Sequence, residues 1–224
     1  MKIILIHGDY KIKAYERLRK LVDEVRRRNW ELTSVEEQTQ TIPEIISSQS
    51  LFNKNRLVVL KNISKISKKD ISWLIKNYLK YDGVLVVYSE GYLNSMLLKS
   101  LRNISKIEEY KLPKIIFNLL DSFFPKNSHK IIQLLHKTIK NNPPEFVFSL
   151  ISKHFRDLYW VNINPKTIPY PSWRIGKLKV QAKKYESSKL KDIIKAMSEI
   201  DIEVKTSKAD IISSLDLLIA TKLQ

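Results

Sequence analysis

The apolar periodicity of this chain changes once, near Pro113, and that change limits the possible folds more than any other feature. Before it, short continuous apolar runs alternate with stretches of helical spacing. Lys2–His7 (KIILIH), Trp30–Val35, Arg56–Leu60 (RLVVL) and Gly83–Tyr88 (GVLVVY) read as strands, and Ile104–Tyr110 as an edge strand. Unbroken apolar runs mark strands buried on both faces, which means a parallel sheet covered by helices. Helical spacing fills the intervals at Lys11–Arg28, Pro43–Ile46, Lys69–Lys80 and Leu93–Leu101. After Pro113 no strand signal returns. Lys114–Phe124, Ser128–Asn141, Pro144–Asn162, Trp173–Tyr185, Ser188–Ile200 and Ala209–Lys222 all carry helical spacing. The proline-rich stretch PKTIPYP (Pro165–Pro171) interrupts this half and is expected to be a mobile loop. The expected fold is therefore α/β over 1–112, followed by an all-α domain over 113–224.

A chain of 224 residues has length enough for two such cores. Its formal charge of +17 favours an anionic partner, most often nucleic acid, although a lysine-rich source composition gives the same number. The charge is spread evenly. Residues 1–112 hold 21 Lys/Arg against 13 Asp/Glu, and residues 113–224 hold 19 against 10. With no cysteine, disulfides, thiolate metal sites and cysteine nucleophiles are excluded. The opening apolar run is too short for a secretory signal and no stretch is long enough to span a bilayer, so a cytoplasmic protein is expected.

A strand, a glycine turn and a helix at the start invite a nucleotide-binding reading. A phosphate loop needs G-x-x-x-x-G-K-[ST], whose glycines let backbone N–H groups approach phosphate and whose lysine and hydroxyl meet the charge and the magnesium. Here His7-Gly8-Asp9-Tyr10-Lys11 offers one glycine and an aspartate, and the strand RLVVL runs into Lys61 and Asn62 rather than into acidic residues. The sequence thus suggests a P-loop-like scaffold without the chemistry, and no cofactor is expected. His129 and His136 lie seven apart on one helix with no third ligand in view, so no metal site is expected either. Glu36-Glu37 and Glu108-Glu109 sit at strand ends, where neighbours point to opposite faces, and make poor acid–base pairs.

The connector SSQSLFNKN places Leu51 and Phe52 side by side among polar residues just before RLVVL. They either close the domain's own core or point outward at a partner. In the helical half, Lys177, Lys179, Lys183 and Lys184 cluster between Trp173 and Tyr185. Such a run is either a solvated helix face or a set of phosphate contacts.

Three stretches together resemble the delta subunit of the bacterial DNA polymerase III clamp loader. LIHGDYKIKAYERLRKL resembles the family's opening strand, turn and helix, SQSLFNKNRLVVL its Ser-Leu-Phe element and core strand, and the segment from Trp173 onward its C-terminal helices, with Asp201 and Lys205 as the hallmark acid–lysine pair. The resemblance implies a degenerate AAA+ domain over 1–112 and a helical collar for oligomerisation over 113–224. It also implies that Gln49, Ser50, Leu51 and Phe52 bind the sliding clamp, with Leu51 and Phe52 plugging an apolar pocket. Adjacent buried anchors of this kind can contribute ~2 kcal/mol each.

The implied role is non-catalytic: to bind and help open the clamp for loading onto primed DNA, with ATP turnover left to other loader subunits of the polymerase holoenzyme. The family's small helical lid is missing, because Tyr110–Pro113 leads directly into KIIFNLLDSFF. Two other readings compete. One is a basic nucleic-acid-binding protein without a clamp partner. The other is a nucleotide-binding enzyme with an atypical site around Gly8.

Overall fold

The computed structural model describes residues 1–36, 41–48, 55–61 and 67–223. It divides into two compact units, Met1–Leu112 and Pro113–Gln224.

The first unit is a five-stranded sheet. Its strands are β1 (Lys2–His7), β2 (Glu31–Val35), β3 (Arg56–Lys61), β4 (Val84–Tyr88) and β5 (Ser105–Glu109). They lie in the order β2-β3-β4-β1-β5, and every pairing is parallel. Alternation of side chains across the pleat divides the apolar runs between two cores. Ile3 and Leu5 of β1, Val58 and Leu60 of β3, and Leu85 and Val87 of β4 face one side. Ile4, Ile6, Leu57, Val59, Val86 and Tyr88 face the other. Helix α1 (Lys11–Arg27) covers the second side with Ala14, Leu18 and Val25. Helices α2 (Ile42–Ser47), α3 (Lys68–Asn77) and α4 (Ser95–Leu101) cover the first.

Local sequence fixes where these helices start. Thr41 and Glu44 form a reciprocal capping box on α2, and Ser67 and Asp70 form another on α3. The Asn94 side chain caps α4. Strand β5 ends at Glu109 and α5 begins at Lys114, so only residues 110–113 join the two units.

The second unit is all helical: α5 (Lys114–Ser122), α6 (Ser128–Ile139), α7 (Pro144–Ile163), α8 (Ser172–Ala182), α9 (Ser187–Lys205) and α10 (Ile211–Lys222). Helix α7 runs through the middle and contacts every other helix of the unit. Its Phe155 is fully buried against Phe123, with ring centroids 5.1 Å apart. No helix among the described residues is long and apolar enough to cross a membrane.

Two expectations need correction. The 165–171 stretch is held down: Trp160 Nε1 donates to Thr167 Oγ1 at 3.0 Å, Ile168 is buried, and Tyr170 Oη donates to buried Asp157 at 2.8 Å. Helix α9 continues past Ile200 to Lys205, because Val204 extends the apolar spacing of Met197 and Ile200 by one more turn.

Candidate functional site

At the C-terminal end of β1 the chain turns through His7-Gly8-Asp9-Tyr10. In an open α/β sheet a ligand would sit here, beyond the strand ends, where the order reverses around β1. Two of the turn's backbone donors are already engaged. Gly8 N–H donates to the Gly91 carbonyl at 3.0 Å and Tyr10 N–H to the Tyr110 carbonyl at 3.0 Å. The Asp9 carboxylate accepts from Leu112 N–H at 2.8 Å and bonds to Tyr92. An acidic group therefore lies in the turn, and the chain leaving β5 is laced to it. His7 is buried beneath, edge-on to Tyr92, and neither ring nitrogen has a hydrogen-bond partner among the described residues. Burial lowers its pKa, with Glu109 opposing and Lys111 adding to the shift.

Beside this turn, Arg17 of α1 reaches the edge strand. Its Nε and Nη2 donate to the two carboxylate oxygens of Glu108 at 2.7 and 3.1 Å. Lys106 adds a contact at 2.8 Å. Burial pushes the Glu108 pKa up, but these cations outweigh it and hold the group at about 2. Glu109 points to the other face and pairs with Lys111 at 3.0 Å, as strand alternation requires.

Gln49, Ser50, Leu51 and Phe52 lie outside the described residues. Their flanks are well defined. Helix α2 leads in, with Ile42, Ile45 and Ile46 buried. Ser47 Oγ lies 3.0 Å from Tyr81 Oη. Arg56, the first residue of β3, donates from Nη1 to the Ser48 carbonyl at 2.5 Å. This bond ties the end of α2 to the start of β3. In the sequence Arg56 stands only as the first residue of a strand. Its partner lies eight positions upstream, and no periodicity signals such a bond.

In the helical unit the lysine cluster divides. Lys177 pairs with Asp121 at 2.6 Å, and Lys184 sits over the Phe124 ring at 4.2 Å. Lys179 and Lys183 are exposed with no ion pair among the described residues. Of the flanking aromatics, Trp173 is 71% exposed while Tyr185 is buried in the core, so only Trp173 is available to a partner. Gln181 roots α8, donating from Nε2 to the Leu120 and Phe123 carbonyls at 2.9 and 2.7 Å and bonding to buried His154.

Asp201 and Lys205 form an ion pair at 2.6 Å, one turn apart on α9. They stand at the rim of a groove of about 560 Å³ between α7 and α9. Its floor is apolar, with Phe148, Ile194, Met197, Ile200, Val204 and Ile211, and Glu145 and Arg156 complete the charged rim. Phe148, Met197, Ile200 and Ile211 of this floor belong at the same time to the unit's own core, together with Ile193, Leu215, Leu218 and Ile219. His129 is exposed and His136 binds Asp216 at 2.8 Å, so the two histidines do not converge. No cluster of metal-ligating side chains occurs among the described residues.

Residues 114–222, the whole of α5–α10, match the family described as DNA polymerase III delta subunit, C-terminal domain. Over this helical unit the chain is similar to the DNA polymerase III delta subunit. Among solved structures the delta-like chain is similar to the Bacillus subtilis DNA clamp loader delta protein YqeN. The identity is 16%, over 100% of this chain and 95% of that one, with a TM-score of 0.48. It is also similar to a DNA polymerase III gamma subunit-related protein of Thermotoga maritima, at 12% identity over 99% and 93%, with a TM-score of 0.35. No curated protein matches the sequence.

Proposed function

We propose that this delta-like chain is the clamp-loader subunit that binds the sliding clamp through Leu51 and Phe52 and helps open it, without hydrolysing ATP. The observation that carries the reading is the family match over α5–α10, joined to an α/β unit whose β1–α1 turn is closed by the protein itself. With Gly8 and Tyr10 N–H bonded to carbonyls and the Asp9 carboxylate in the turn, a triphosphate meets few free donors and a negative charge. The unit is then a degenerate AAA+ domain, and nucleotide turnover belongs to partner subunits.

The fixed flanks of the connector support the plug. The Arg56–Ser48 bond and the buried strand β3 fix the two described ends between which Leu51 and Phe52 fall in sequence, which lowers the entropic cost of a partner engaging them. The α7–α9 groove, rimmed by Asp201 and Lys205, suits contacts between loader subunits. Contact with primed DNA falls to Lys179, Lys183 and Trp173, the part of the cluster not engaged within the chain.

The test is calorimetric titration of the chain with the sliding clamp of the same organism, with and without ATP and magnesium. The expected result is binding of equal strength in both conditions. Absence of binding, or binding only with ATP, contradicts the proposal.

A further inference from the structure

Helix α3 presents an outward face with a composition that the α/β fold itself does not use. Lys68, Lys69, Lys76 and Lys80 are exposed on α3 and the 3₁₀ turn that follows it, and none forms an ion pair among the described residues. Elsewhere in the same unit Lys11, Lys13, Lys61, Lys106 and Lys111 are paired with carboxylates, while Lys2, Lys20 and Lys99 stand singly with no ion pair among the described residues. Lys68, Lys69, Lys76 and Trp73 line a shallow groove of about 420 Å³ along α3. On the flank of α3 nearer Lys68, Ile75 is 41% exposed, and Leu79 in the following 3₁₀ turn is 79% exposed.

On its Trp73 side this face adjoins the C-terminal end of α2. The Trp73 ring lies 5.6 Å from that of Tyr81, and Tyr81 Oη lies 3.0 Å from Ser47 Oγ at the end of α2. Ser48 and its bond to Arg56 come next, and Leu51 follows three positions later in sequence.

We propose that the α3 face is a second docking surface for the partner that takes Leu51 and Phe52, and that it receives an acidic protein surface bordering the partner's apolar pocket. This rests on the clamp-binding reading. The unpaired lysines call for carboxylates, while Ile75 and Leu79 call for apolar side chains. A phosphate backbone would satisfy the lysines and leave both aliphatic groups in water, so the mixed composition favours protein over nucleic acid. Charges at an interface rim act mainly on the encounter rate and give the binding its salt dependence.

The experiment compares three full-length proteins: wild type, Lys69→Glu/Lys76→Glu, and Leu51→Ala/Phe52→Ala. Each is titrated with the sliding clamp at ~50 mM and ~300 mM salt, a range over which exposed charges pass from weakly to strongly screened. The lysines are exposed, so the charge-reversal variant should fold, and circular dichroism checks that it does. The proposal expects that variant to bind about tenfold more weakly than wild type at low salt, with the difference narrowing at high salt. Identical affinity and salt dependence in wild type and the charge-reversal variant, with binding lost only in Leu51→Ala/Phe52→Ala, would overturn the α3 inference and leave the plug standing. Unchanged clamp binding with weakened DNA binding would make the face a nucleic-acid surface and also overturn it. Failure of wild type to bind the clamp at all would remove both readings.

Discussion

Gly8 lies against Tyr110 so closely that a β-carbon at residue 8 would sit 2.1 Å from the Tyr110 carbonyl oxygen. Its φ of +128° also belongs to the region that residues with side chains rarely adopt. The glycine that looks like the remnant of a phosphate loop is therefore required by the path of the chain leaving β5.

Gly8→Ala should cost about 3 kcal/mol or more in stability, since both the backbone angle and the contact are incompatible with a methyl group. Urea unfolding of wild type and variant measures it. In wild type, millimolar ATP with magnesium should leave the melting temperature unchanged. A ligand present at about a hundredfold its dissociation constant would add about 2.7 kcal/mol and be plainly visible.

The Arg17–Glu108 pair fastens α1 to the edge strand and sets an acid dependence. Glu108 has a folded-state pKa of about 2 against an ordinary 4.5, so its contribution is complete above the ordinary value and is lost as pH falls from there toward 2. Arg17→Met should destabilise the chain by about 1–2 kcal/mol near neutral pH, between the limits for exposed and buried pairs. It should also raise the Glu108 pKa, read by NMR titration of the carboxylate.

His154 gives a second window at higher pH. Burial among Phe123, Phe155 and Gln181 lowers its pKa from 6.5 to about 4, against the opposing influence of Asp157. Above pH 6.5 the group is neutral whether folded or unfolded. As pH falls toward 4 the unfolded chain takes up the proton first, so stability drops across that interval, by on the order of 3 kcal/mol, and then levels. His154→Leu should flatten this part of the profile, which chemical denaturation at a series of pH values would show.

Much of the architecture is legible in the sequence because burial on both faces of a parallel sheet and on one face of each helix leaves distinct periods. Strand order is not. The polar run Ser105–Glu109 marks an edge strand, and β5 does lie at an edge, but nothing in it says that its neighbour is β1. The end of α9 was obscured because Asp201, Glu203 and Lys205 dilute an apolar spacing that Val204 in fact continues.

Contacts between distant positions were out of reach for the same reason. The missing phosphate-loop residues are visible at Gly8 and Asp9, but the bond from Leu112 N–H to Asp9 spans 103 positions and appears only in the fold. Tyr185 reads as a partner for the neighbouring lysines because it follows them in sequence. The turn after α8 instead carries it into the core, against Phe155 with centroids 6.2 Å apart.

The central claim is that Leu51 and Phe52 anchor the sliding clamp, and the most direct measurement is clamp affinity in wild type against Leu51→Ala/Phe52→Ala, with circular dichroism and thermal melting in parallel. The account predicts a folded double variant whose melting temperature matches wild type and whose affinity is at least a hundredfold weaker, about 2.7 kcal/mol or more for two anchors together. A double variant that binds as wild type does, or one that unfolds because the two side chains belong to the domain's own core, would contradict it.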